Sequence, residues 1–338
     1  MAYRTQKEKQ LADSLTQETQ RQATAQTMAE EELFSFAEYD PGKAEKTGYS
    51  DYSYWKSTFA VFLRNKTAVF LLCLMAALLL FTFIQPYLPG QRPATLINND
   101  PVTGMQMANR PPDSEFWFGT NSIGQDLWSM VWSGTRTSLF IGFAVACVEA
   151  VAGILVGTLW GYVRKLDVVF TELYNIIDNI PQTIVLILLS YILRPGIGTL
   201  IFAMCITGWA QMARFIRNQV IIIRDRDYNL ASRCLGTPTR RIIFKNLLPY
   251  LVSVITMRMA LAIPSAIGNE VFVTYIGIGL PLDTPSLGNL INTGRELMTI
   301  PSLRYQLYFP VAVLAVITIS FYIIGNAFAD AADPKNHV

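Results

Sequence analysis

Long apolar runs alternate along this chain with shorter polar segments rich in arginine, and each run is long enough to cross a bilayer as a helix. The first covers residues 67–88 and is closed by Pro86, Pro89 and Gly90. Further runs at 137–163, 176–193, 197–216, 246–273 and 308–329 bring the predicted count of transmembrane helices to six. Only Arg194-Pro195-Gly196 separates the third run from the fourth, so those two form a helical hairpin. A long polar loop follows the first run, and a second loop through residues 281–306 precedes the last.

The composition agrees: 51% of the 338 residues are hydrophobic and 15% charged, outside the soluble average and within the membrane class. The formal net charge of +2 says little about partners, so the placement of the basic residues matters more. They are densest from Arg214 through Arg217, Arg224, Arg226, Arg233, Arg240 and Arg241 to Lys245, which places this loop in the cytoplasm. An even number of crossings then puts both termini inside, with Arg164, Lys165 and Lys335. Arg92, Arg110, Arg194, Arg295 and Arg304 fall outside, so the bias is real without being absolute.

Residues 1–48 are polar and end in turn chemistry at Asp40-Pro41-Gly42, which reads as a solvated cytoplasmic extension and not as a signal peptide. Over 49–66, Trp55, Phe59, Phe62 and Leu63 recur at helical spacing beside Lys56, Arg64 and Lys66. That pattern fits an amphipathic interfacial helix or a cytoplasmic continuation of the first span. Gly153, Gly157 and Gly161 form a small-residue seam that admits a close neighbour, most simply another helix of the same chain.

Several chemistries have no support. Cys73, Cys147, Cys205 and Cys234 do not form a disulfide framework, His337 lies in the tail, and no cluster has metal-ligand spacing. The chain lacks a phosphate-binding Gly-x-x-x-x-Gly-Lys loop and a convergent catalytic set, so it is not expected to be an enzyme and carries no cofactor of its own. Three ionisable residues inside the runs, Glu149, Arg258 and Glu270, are candidates to line a path or to make interhelical ion pairs. Arg258 and Glu270 stand about 18 Å apart along a straight helix, too far to pair with each other.

Between the fourth and fifth runs, residues 224–245 read as two short helices around a turn. Leu230, Ala231, Cys234 and Leu235 share an apolar face, Gly236 is suited to end the first helix, and Thr237-Pro238 to begin the second. Ile242, Ile243 and Leu247 supply a second apolar face, and Pro249 marks entry to the fifth span. Such a pair suits a groove on a cytoplasmic partner or the surface of an anionic bilayer.

This segment resembles the EAA loop of ABC importer permeases, in which Glu-Ala-Ala is followed by three residues, a Gly and, farther on, Leu-Pro. Ala231, Gly236 and Leu248-Pro249 match, whereas Leu230 and Ser232 replace the Glu and the second Ala. Leu-Ala-Ser-Arg followed by Leu-Gly-Thr is similar to the form in oligopeptide permeases of Gram-positive bacteria. Phe118-Gly119-Thr120 with Gly124 and Asp126 also follows the family pattern, as do Ser138-Leu139 with Gly142, Thr207-Gly208-Trp209, Met212-Ala213-Arg214 and Glu270. Gly277-Ile278-Gly279, Thr284-Pro285-Ser286 with Gly288, Asp330-Ala331 and Asp333-Pro334 continue it.

The resemblance covers roughly residues 55–335 and implies an all-α membrane protein of the type I ABC importer permease fold, as the C-type subunit of a bacterial oligopeptide importer. It further implies a permease domain over 67–335 and contact with cytoplasmic ATPases through Leu230, Ala231, Ser232, Arg233, Leu235, Gly236, Ile242, Leu248 and Pro249. The partners it implies are a second homologous permease, two ATPases holding ATP and Mg, a lipid-anchored external peptide-binding protein, the oligopeptide and the lipid bilayer, with no nucleic acid. A nickel or other small-solute importer shares the scaffold. A secondary transporter or channel shares the hydropathy but has no use for a cytoplasmic helix pair.

Overall fold

Asn65 cuts the N-terminal helical stretch in two: its side chain accepts the backbone N–H of Ala68 at 3.1 Å and so caps a new helix. The structure, a computed structural model, describes residues 54–332; the extension over 1–48 and the closing Asp333-Pro334 lie outside them, as do the first residues of the 49–66 helix. The elements are α1 (Tyr54–Arg64), α2 (Lys66–Ile84), α3 (Leu127–Tyr162), α4 (Arg164–Asp178), α5 (Gln182–Ile192) and α6 (Ile197–Arg224). They continue as α7 (Asp227–Cys234), α8 (Thr239–Ile242), α9 (Leu248–Tyr275), α10 (Leu287–Glu296) and α11 (Tyr305–Ala332). Among the described residues, β-structure is limited to three isolated bridges.

Among the described residues, four helical stretches, at Lys66–Tyr87, α3, α6 and α11, are long and apolar enough to cross a membrane, and two bent pairs raise the number to six if each is one span. The third span departs most from expectation. Instead of one helix over 176–193, α4 and α5 meet at 73°, because Pro181 supplies no N–H and disfavours helical geometry at Ile180. With 11 residues, α5 is about 16 Å long, too short to cross alone. The fifth span is likewise bent, by 55°, where residues 239–252 meet 254–275. The second begins ten residues earlier than its apolar run, because Asp126 caps α3 by accepting the N–H groups of Trp128 and Ser129.

Glycine decides which helices touch. A Cβ on Gly153 would overlap Met212, one on Gly157 the backbone of Ala213, and one on Gly161 Val220, so the seam of α3 is filled by α6 of the same chain. Gly142, on another part of α3, meets Ile263 and Ile267 of α9. α1 lies against the end of α11, with Phe62 buried and its ring 6.2 Å from that of Phe328.

Candidate functional site

The segment after α6 is held by polar bonds and leaves its apolar side chains uncovered. Gly236 has a φ of +75°, donates its N–H to the Arg233 carbonyl at 2.9 Å, and is followed by Thr237 donating to Ser232 at 3.0 Å. These two bonds make a Schellman cap, the expected end of α7. Asn229 is fully buried: its amide donates to the Ile223 carbonyl at 2.9 Å, and its oxygen accepts from Asn246 at 3.0 Å. Asp225 receives Arg224 at 3.0 Å, with Arg164 and Arg233 each at 3.9 Å. The Arg224 contact holds the Asp225 carboxyl below its usual range. Arg224 also donates to the Gly161 carbonyl at 2.7 Å, and Arg233 lies over the Tyr162 ring, tying α7 to the end of α3.

With those anchors made, Leu230, Ala231, Cys234 and Leu235 all face outward, Leu235 being 86% exposed. Ser232 and Arg233 are half-buried, and Pro249 is exposed while Leu248 is half-buried. The second apolar face behaves differently. Ile242, Ile243 and Leu247 are buried against Met212, Ile216, Val220 and Ile255, so Ile242 anchors the segment to the bundle and does not offer a contact surface.

Within the bundle, the three ionisable candidates part company. Glu149 of α3 and Arg258 of α9 line one cavity of about 100 Å³, together with Gln182, Gln211, Ser265 and Asn269. Gly208 stands where any Cβ would overlap the Glu149 carboxylate, so a glycine there makes room for the acid. The Arg258 guanidinium lies over the Phe215 ring, 5.6 Å from its centroid.

Glu270 does not join this cavity. It is fully buried, accepts the Ser138 hydroxyl at 2.9 Å and the Thr274 hydroxyl at 3.3 Å, and Ser138 in turn accepts the Leu287 N–H at 3.2 Å. The chain joins α9, α3 and the start of α10, and Gly288 allows the close approach. Glu270 thus tethers three helices. Sequence reasoning does not single out Asn229, Gln182, Gln211 or Asn269; the only signal of the last three is a polar side chain within an apolar run.

The motif before α3 is also architectural. Gly119 has a φ of +77° and packs on Arg110 and Tyr305, while buried Thr120 accepts the Arg110 N–H at 2.9 Å. The Tyr305 hydroxyl donates to the Arg110 or Thr120 carbonyl, at 2.9 and 2.8 Å.

A family model described as "Binding-protein-dependent transport system inner membrane component" matches residues 151–338. One described as "N-terminal TM domain of oligopeptide transport permease C" matches residues 53–112. The chain is 38% identical to the oligopeptide transport system permease protein AmiD of Streptococcus pneumoniae, over 91% of this chain and 98% of that one. It belongs to the oligopeptide and dipeptide ABC permease family. This permease is 33% identical to OppC of Bacillus subtilis over 90% of its length and 97% of the relative's. It is 32% identical to DppC of the same organism, over 94% and 98%. A structure of the methionine ABC transporter MetNI in inward-facing conformations aligns at a TM-score of 0.47 and 20% identity, over 59% of this chain and 96% of that one. The protein is thus a multi-pass membrane transport subunit and not an enzyme.

Proposed function

We propose that this permease forms half of the translocation path of an ATP-driven oligopeptide importer and receives the movement of its ATPases through α7. The observation that carries the reading is a short helix fixed to the bundle by Asn229 and Arg233 while Leu230 and Leu235 stay uncovered. A rigid anchor with an apolar outer face can pass a push from a docked partner to α6 and α9, where a loose loop would absorb it. The other half of the path comes from a second homologous permease. Two cytoplasmic ATPases bind ATP and Mg, and a lipid-anchored external protein delivers the peptide. Both termini of the chain then lie in the cytoplasm.

Glu149 and Arg258 bring an acid and a base into the polar cavity, suited to a cargo with both kinds of terminus that must be held weakly and released. ATP binding closes the ATPases, and the closure acts on α7; the permease can be shifted only by the difference in their affinity for its two states.

The experiment is purification of the complex through this chain, with peptide uptake measured in parallel. The wild type is expected to bring down a homologous permease and two ATPases. Leu235→Ala is expected to weaken ATPase docking by about 2 kcal/mol, some thirtyfold, if its side chain is buried on docking. Recovery of the chain alone under mild conditions, or unchanged ATPase recovery with Leu235→Asp, overturns the reading.

A further inference from the structure

An apolar groove of about 510 Å³ runs along the bundle between α2, α3, α9 and α11, apart from the polar cavity. Leu79 and Phe83 of α2, Phe140 and Phe143 of α3 and Phe321 of α11 line it. Phe83, Phe140 and Phe143 are 62%, 60% and 60% exposed, so the groove opens away from the packed helices.

The single charge in its lining is Arg136, which donates through Nη1 to the Thr82 carbonyl at 2.6 Å. Among the described residues, Nε and Nη2 have no hydrogen-bond acceptor. Thr82 stands two residues before the end of α2, and the Phe81, Trp128 and Trp132 rings lie close together on the side of the 88–126 loop. Aromatic rings of this kind mark the level of the lipid headgroups. An arginine at that level costs free energy unless its donors find an anion, and the phosphates of the bilayer lie at the same depth.

Phe143 is seven residues beyond Arg136, about 10 Å farther into the membrane, where one leaflet of hydrocarbon is about 15 Å deep. We propose that the groove binds one phospholipid of the leaflet on the side of the 88–126 loop, with an acyl chain against Phe140, Phe143 and Phe321 and the phosphate on Arg136.

The test uses the complete importer complex in nanodiscs of phosphatidylglycerol that includes a share carrying a photoactivatable diazirine on the acyl chain, with labelled peptides mapped by mass spectrometry. Labelling at Phe140, Phe143 and Phe321 is expected to exceed that at Phe70, an exposed α2 residue outside the groove. Arg136→Gln is expected to cut the groove signal about tenfold, the worth of one charged hydrogen bond, and to leave Phe70 unchanged. Leu79→Trp keeps the arginine and fills the groove, and is expected to abolish the signal even if the arginine variant fails to insert. Groove labelling no stronger than at Phe70 overturns the proposal, as does labelling indifferent to Leu79→Trp. Cross-linking of Phe143→Cys to the second permease in place of lipid overturns it as well.

Discussion

At the scale of single residues, the same chemical type does different work according to what surrounds it. Gly236 has open space around the position of a Cβ, so only its backbone angle demands glycine. Gly236→Val is expected to strain the cap by about 1–2 kcal/mol and to lower peptide uptake while the chain still accumulates in the membrane. Gly236→Asn, which tolerates the left-handed conformation, is expected to transport nearly as well. Equal uptake by the wild type and the valine variant would remove the cap from the coupling argument. The two buried carboxylates separate in the same way. Glu270→Ala leaves two hydroxyls without their acceptor and is expected to cost about 1–3 kcal/mol, seen as a lower melting temperature in detergent. Glu149→Gln, in the cavity, is expected to change uptake without lowering the melting temperature; the reverse pattern would exchange their roles.

At the scale of elements, the long loop between the first two spans is tied together by its own polar contacts. The 88–126 loop is stitched by Arg92 to Glu115 at 2.7 Å and by Arg110 to Asp113 at 2.6 Å, and Tyr305 fastens it to α11. The Phe116 N–H holds the Asp113 carboxyl below its ordinary range, and the Arg92 hydrogen bond does the same for Glu115. Since both folded values are depressed, their contribution is fully present above the unfolded carboxylate values, about 4, and is lost as pH falls through the folded ones. Hydrogen-exchange protection of the Phe116 amide is therefore expected to be flat from neutral pH down to about 5 and to fall below about 4. Protection that declines between pH 7 and 5 would assign the loop's stability to other groups.

At the scale of the whole molecule, the bent α4–α5 pair decides the topology. Between Ile123 and Cys234 lie α3, that pair and α6, so the two positions face opposite sides if the pair crosses and the same side if it turns back. Cys234 is exposed on α7, and Ile123 is exposed on the 88–126 loop. A membrane-impermeant maleimide is expected to reach Cys234 only from the cytoplasmic side and Ile123→Cys only from the other. Labelling of both from one side would reduce the pair to a re-entrant loop and reverse the placement of the C-terminus relative to the first loop.

Hydropathy and local backbone chemistry determined much of this protein unaided, because apolar length and turn residues act over neighbouring positions. The ends of α2, the α7 turn at Gly236 and the glycine seam of α3 all follow from such local rules. Tertiary structure decided which polar residues meet, since that depends on the approach of helices far apart in sequence. Glu149 and Glu270 look alike in an apolar run, yet one reaches a cavity through the space above Gly208 and the other is enclosed by Ser138 and Thr274. Likewise, the apolar positions of 224–249 were legible, but only the folded chain divides them into Ile242 and Leu247, which seal the segment to the bundle, and Leu230 and Leu235, which it leaves uncovered.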